Sequence, residues 1–311
     1  MDELTLSLDA FGPWDWACVG ANLFVAALGI FALRCWRGMP SVAAPLPVTS
    51  MNAALGVVTG VLSFGLIFGL VLAMAAQAFS THFGLAQAHV FTAAFIGQSA
   101  AALSMLVMGT LVPETLCWAP DVTKEETTAE SPLRRAARAF TFPRLLLVLL
   151  ALFALGLALA ALWKGVHVGW TQLFQNGLVG EPPADEPQDI VDSVLKTDVD
   201  SWRFGTIVLA VTIGAPIMEE LAFRGMLYPG LRRLLSCASE RHARWIAVAL
   251  TGLTFSAAHL SPSAALPLFG FGAFMCLVRD RYGLLTCMAA HAGFNGWNLL
   301  WLKLAPNAST L

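Results

Sequence analysis

The chain has 311 residues, of which 57% are apolar and only 12% charged, and its mean hydropathy is +0.70. Soluble domains carry about 25% charged residues, so lipid must be the solvent for much of this surface. Net charge is −2, and no basic stripe with interleaved aromatics occurs, which removes nucleic acid from the candidate partners.

The first residues, MDELTLSLDAFGPWDWA, are acidic and lack the basic leader region of a signal peptide. The first apolar stretch is therefore expected to be a retained helix. A spanning helix needs about 20 mostly apolar residues. Such runs fall at 16–33, 53–77, 90–112, 145–163, 204–230, 245–260, 264–278 and 284–302. The fifth is long and charged, and the short sixth and seventh are separated by Ser261 and Pro262. The expected fold is all-α: a polytopic membrane bundle of about eight transmembrane helices. Residues 1–144 make an N-terminal region of three spans with a cytoplasmic linker, 145–203 a fourth span with an acidic extracytoplasmic loop, and 204–303 the membrane core.

Charge placement orients the bundle. With the N-terminus outside, 14 of the 18 basic residues fall on the inner side, and Lys164, Lys196, Arg203 and Lys303 remain outside. That is the positive-inside pattern, with both termini extracytoplasmic. Between spans, 113–143 reads as a solvated cytoplasmic linker with a surface helix. In the acidic outer loop 181–200, Ile190, Val191, Val194, Leu195 and Val199 recur at helical spacing, which predicts a short amphipathic helix over the outer mouth. The six cysteines lack CxxC spacing and read as small apolar helix residues.

Ionisable groups at bilayer depth are costly and face the bundle interior. Spans one to four are nearly free of them. Span five carries Glu219, Glu220 and Arg224, span six ends at His259, and span eight holds His291 and Asn295. At 1.5 Å per residue, Glu220 lies about 18 Å from Arg232, His259 about 22 Å from Arg244, and His291 about 15 Å from Arg281. Three helices of alternating direction thus place polar groups at similar depth, on one buried site. Glu220 and Arg224 share a helical face as an i,i+4 pair, as do His291 and Asn295, while Glu219 is turned about 100° away. Pro216 removes a backbone hydrogen bond just before the glutamates and frees a carbonyl near the site.

A carboxylate and an imidazole around one water make it nucleophilic, and a second imidazole with an amide N–H stabilises the oxyanion formed on a carbonyl. Glu219, His259 and His291 equally suit three ligands of a catalytic zinc. Spacing does not choose between these. The structural alternative is that each histidine alone is a helix-packing donor and the Glu–Arg pair a structural one; the coincidence of depth argues against it.

The motifs Glu219-Glu220-Leu-Ala-Phe-Arg224, Phe255-Ser-Ala-Ala-His259 and His291-Ala-Gly-Phe-Asn295 resemble those of the CAAX prenyl protease 2 and bacteriocin-processing (CPBP) intramembrane metalloproteases. The resemblance covers about 200–302, and spans one to four match no motif. It implies an intramembrane endopeptidase open toward the cytosol, with 204–303 as its catalytic core. Glu219 would activate water with His259, Glu220 and Arg224 would support that geometry, and His291 with Asn295 would hold the oxyanion. Zinc is the implied cofactor of a metalloprotease, although the HExxH helix of zincins is missing. Prenylated proteins, peptides or membrane proteins are the implied substrates, and a bacterial cell membrane the implied location. Two other readings keep the same fold: a non-catalytic scaffold or chaperone, and an ion-coupled transporter, the latter weakened by the lack of an internal repeat.

Overall fold

The computed structural model describes residues 12–37, 50–83, 90–117, 137, 140–180, 194–236 and 239–305. Eight helical rods occur among them, each matching one apolar run of the sequence. They are α1 (Pro13–Arg37), α2 (Ser50–Leu62 and Phe68–Phe83, joined by a π turn at Ser63–Ile67), α3 (Val90–Leu111) and α4 (Phe142–Gln175). They continue as α5 (Trp202–Leu234), α6 (Glu240–Ala258), α7 (Ala265–Tyr282) and α8 (Leu284–Leu304). The fold is all-α, and α1 to α5 are each long and apolar enough to cross a membrane by length and composition. The last three rods do not meet that criterion; the sixth and seventh of the apolar runs were, with the fifth, the irregular ones in the sequence.

Burial ranks the helices. In α5, 56% of the apolar window is buried inside the bundle, against 11–33% in α1 to α4. The outer helices instead expose Phe24, Phe31, Leu66, Leu70, Leu103 and Leu162. Large apolar side chains left outward on long helices are what a lipid solvent requires. Lipid is as apolar as leucine, so helix contact has to come from close packing at small residues. Such contacts recur here: Gly29 of α1 lies against the Leu150 carbonyl of α4, and Gly60 of α2 lies against the Ala222 carbonyl of α5. Gly252 of α6 and Gly272 of α7 meet backbone to backbone.

The turn between α6 and α7 falls where Ser261 and Pro262 were read as a break. Pro262–Ala264 forms a short 3-10 turn, and Leu260 before it has a positive φ of 50°. Of the expected outer amphipathic helix, 181–193 lie outside the described residues. Residues 194–196 do form a helical turn, and Val194 is buried with Ile207 and Leu299. Lys303 Nζ donates to the carbonyls of Val194, Leu195 and Thr197, tying this turn to the end of α8. Most of the linker 113–143 lies outside the described residues. Cys18, Cys276 and Cys287 are buried free thiols and Cys117 is a half-buried one, consistent with packing roles.

Candidate active site

The glutamates sit on a short α-helical segment, Ala215–Glu220, between two π turns, Ala210–Gly214 and Leu221–Leu227. Single π turns inside α-helices occur often at functional sites, because each rotates the residues that follow it. The first has a cause in the sequence. The Ala215 N–H reaches back five residues to the Ala210 carbonyl. In that register the next carbonyl, Val211, falls opposite Pro216, which has no N–H. Asn295 of α8 supplies the donor, its Nδ2 lying 2.9 Å from the Val211 oxygen. The freed carbonyl expected from Pro216 is thus accounted for.

Glu219, Glu220, Arg224 and His291 are 9%, 0%, 0% and 4% exposed, so desolvation would be prohibitive without pairing. Arg224 Nη1 donates to Glu220 Oε1 at 3.0 Å and Nη2 to the Gly272 carbonyl of α7 at 3.1 Å. Its guanidinium carbon lies 4.6 Å from the Phe255 ring centre and 5.8 Å from those of Phe223 and Phe271, an aromatic cage suited to a buried cation. Arg224 therefore links α5, α6 and α7 at one point. The close Gly252–Gly272 crossing brings the α7 carbonyl within its reach.

His291 Nδ1 is 2.8 Å from the same Glu220 Oε1, and its Nε2 is 3.8 Å from Glu219 Oε2. A carboxylate can only accept from the ring, so Nδ1 carries a proton and Nε2 faces Glu219. The 3.8 Å gap exceeds a direct hydrogen bond and is one for which a bridging water is the natural occupant. Glu220 Oε2 is buried and has no hydrogen-bond partner.

His259 terminates α6. Its Nδ1 lies 2.8 Å from the Phe255 carbonyl; a carbonyl also only accepts, so Nε2 is the basic nitrogen. Its ring packs 4.6 Å from Phe255, whose centre is 6.2 Å from that of His291. The structure thus gathers Glu219, Glu220, Arg224 and His291 directly, sets His259 one aromatic ring away, and turns the Asn295 amide toward Val211.

Zinc was the cofactor implied for these residues. Among the described residues, no three His, Cys, Asp or Glu side chains are grouped to hold a metal ion. Each ring's Nδ1 is held, by Glu220 or by the Phe255 carbonyl, which leaves the two Nε2 atoms and the Glu219 carboxylate as the atoms that would hold a metal.

Sequence reasoning missed a second buried charge cluster, where the end of α5, the start of α6 and the end of α7 meet. Asp280 of α7 accepts from Tyr228 Oη and Arg244 Nε, each at 2.8 Å, and lies 3.4 Å from Arg232 and Arg279. Arg232 also pairs with Glu240. Arg232 and Arg244 were read only as inner anchors, yet the same depth arithmetic places them beside Asp280. An open, mostly apolar groove of about 360 Å³ runs between α5 and α8, lined by Thr212, Ile213, Pro216, Ile217, Met288 and Ala292 among others.

The arrangement is a bundle of long apolar helices with a cluster of acidic and basic side chains buried at its centre. Residues 201–297, roughly a third of the chain, match the family described as Rce1-like, "Type II CAAX prenyl endopeptidase Rce1-like". No curated protein and no solved structure matches the chain. The family match spans α5 to most of α8 and includes every candidate site residue.

Proposed function

We propose that the protein is an intramembrane endopeptidase in which Glu219 and His291 activate a water for attack on a peptide carbonyl. The observation that carries this reading is the facing pair of Glu219 Oε2 and His291 Nε2, 3.8 Å apart, with the other side of His291 fixed by Glu220. Glu219 takes the proton of the attacking water, the role a positioned carboxylate serves in general base catalysis. Glu220 holds the imidazole in one tautomer and orientation, as the third member of a catalytic triad does for its histidine. Arg224 balances the Glu220 charge inside the bundle. The proton Glu219 takes from the water is the one returned to the leaving amine, and His259, the second imidazole, can donate to the scissile carbonyl from Nε2 only as the imidazolium.

The substrates of this reading are prenylated proteins, peptides or membrane proteins. The apolar groove between α5 and α8, the two helices that carry Glu219 and His291, suits a substrate arriving from lipid. The membrane is that of a bacterial cell, with both termini outside.

The test is cleavage of a panel of prenylated and membrane-inserted peptides by purified protein in liposomes. Cleavage by wild type that is abolished by Glu219→Gln and His291→Ala is the expected result. A wild type that cuts nothing, while it and both variants complement a deletion strain equally, would replace the protease with a scaffold.

A further inference from the structure

Asn295 closes the motif His291-Ala-Gly-Phe-Asn295, yet its Nδ2 donates to the Val211 carbonyl at 2.9 Å. Val211 is in the π turn Ala210–Gly214, and Pro216 is the residue whose missing N–H leaves that carbonyl without a backbone donor. In the same turn, Gln98 of α3 packs against Gly214 so closely that a Cβ there would lie 2.1 Å from Gln98 Oε1. The turn thus meets two amide side chains, from α3 and α8. Three residues beyond Pro216 stands Glu219. The rotation imposed by the turn therefore sets the direction in which both glutamates leave the helix.

We infer that Asn295 is a positioning residue: it replaces the amide proton that Pro216 lacks, stabilises the π turn, and so aims Glu219 and Glu220 at His291. This inference rests on the proteolytic reading for its kinetic consequence, but the coupling between residues 216 and 295 does not. Pro216 and Asn295 form one unit, and each is needed only because of the other. An alanine at 216 restores a backbone N–H. In the five-residue register that N–H reaches Val211; in the four-residue register the Ala215 N–H does. Either way the Val211 carbonyl no longer depends on Asn295.

The experiment is a double-mutant cycle with Pro216→Ala, Asn295→Ala and the pair together, in purified protein. Peptide cleavage and the thermal unfolding midpoint are both read. Asn295→Ala is expected to lower kcat on the order of 100-fold, the scale of a small misplacement of reacting groups, with KM within about threefold, and to lower the midpoint. In the double variant, kcat and midpoint return to those of Pro216→Ala alone. Double-variant kcat that stays as low as in Asn295→Ala, with the midpoint also unrecovered, overturns the inference; recovery of the midpoint without kcat assigns Asn295 to the reacting carbonyl and overturns the positioning role. If wild type cleaves nothing, the proteolytic reading has failed, and the midpoints alone decide the coupling. Should Asn295→Ala not fold, folding of the double variant supports the unit and its failure to fold refutes it.

Discussion

His291 and Arg224 meet on a single oxygen, Glu220 Oε1, at 2.8 and 3.0 Å. One buried carboxylate thus serves two partners from different helices, and its loss breaks both. Glu220→Gln keeps the shape but leaves Arg224 as a cation inside three phenyl rings with no counter-charge. Removing one partner of a buried pair costs about 3–5 kcal/mol. The expected outcome is a clearly lowered unfolding midpoint together with lost cleavage. Glu219→Gln, whose side chain is outside the ion pair, should lose cleavage and keep a midpoint close to wild type. Thermal unfolding of both variants in the same detergent checks the contrast; equal midpoints would remove Glu220 from its supporting place.

Asp280 predicts a separable effect. It joins α5, α6 and α7 through Tyr228, Arg232 and Arg244, at the end of the bundle away from Asn295. Asp280→Asn leaves several buried guanidiniums around a neutral amide, so stability should fall by about 3–5 kcal/mol. The site residues keep their own partners, so cleavage per folded molecule should stay within about threefold of wild type, since sites far apart without shared partners behave additively. Cleavage normalised to the folded fraction is the measurement. A specific loss of kcat would mean that the Asp280 cluster reaches the site.

Much of the bundle was legible because composition and period are local properties. Eight apolar runs became eight rods, and depth arithmetic brought Glu220 and His291 together, because a helix has a fixed rise. What depends on register within a helix was not legible. The π turns around Glu219 shift side chains by a fraction of a turn, and only Pro216 hinted at one of them. His291 faces Glu219 across 3.8 Å, while His259 ends α6 with its ring against Phe255. Sequence spacing fixes depth along a helix but not the angle at which a ring leaves it. The Phe223, Phe255 and Phe271 cage came from three helices and had no pattern to announce it, although Phe255 already stood in the motif with His259.

The helix crossing that serves Arg224 should tolerate no side chain. A Cβ on Gly272 would lie 3.0 Å from Gly252 Cα and 3.1 Å from Phe255 Cβ, neither of which is a flexible end. Gly272→Ala must push α6 and α7 apart, at a cost of about 1–3 kcal/mol for overpacking. It also moves the carbonyl that accepts from Arg224 Nη2 and the phenyl ring beneath the guanidinium. Both stability and kcat should drop. Gly165→Ala is the control, since nothing lies within 4 Å of a Cβ at that position, and it should match wild type in both measurements.

Chelation separates carboxylate chemistry from zinc chemistry. Each histidine Nδ1 is engaged, by Glu220 in one case and by the Phe255 carbonyl in the other. A metal would need the two Nε2 atoms and Glu219 around one point, and among the described residues no three such side chains are grouped to hold a metal ion. Water activation by Glu219 and His291 needs no such grouping. Dialysis against a strong chelator should therefore leave cleavage within about twofold of the untreated enzyme. Metal content by mass spectrometry should show less than one equivalent of zinc in fully active protein. Loss of cleavage on chelation, restored by stoichiometric zinc and absent in both His259→Ala and His291→Ala, would show that the histidines rearrange into a ligand set.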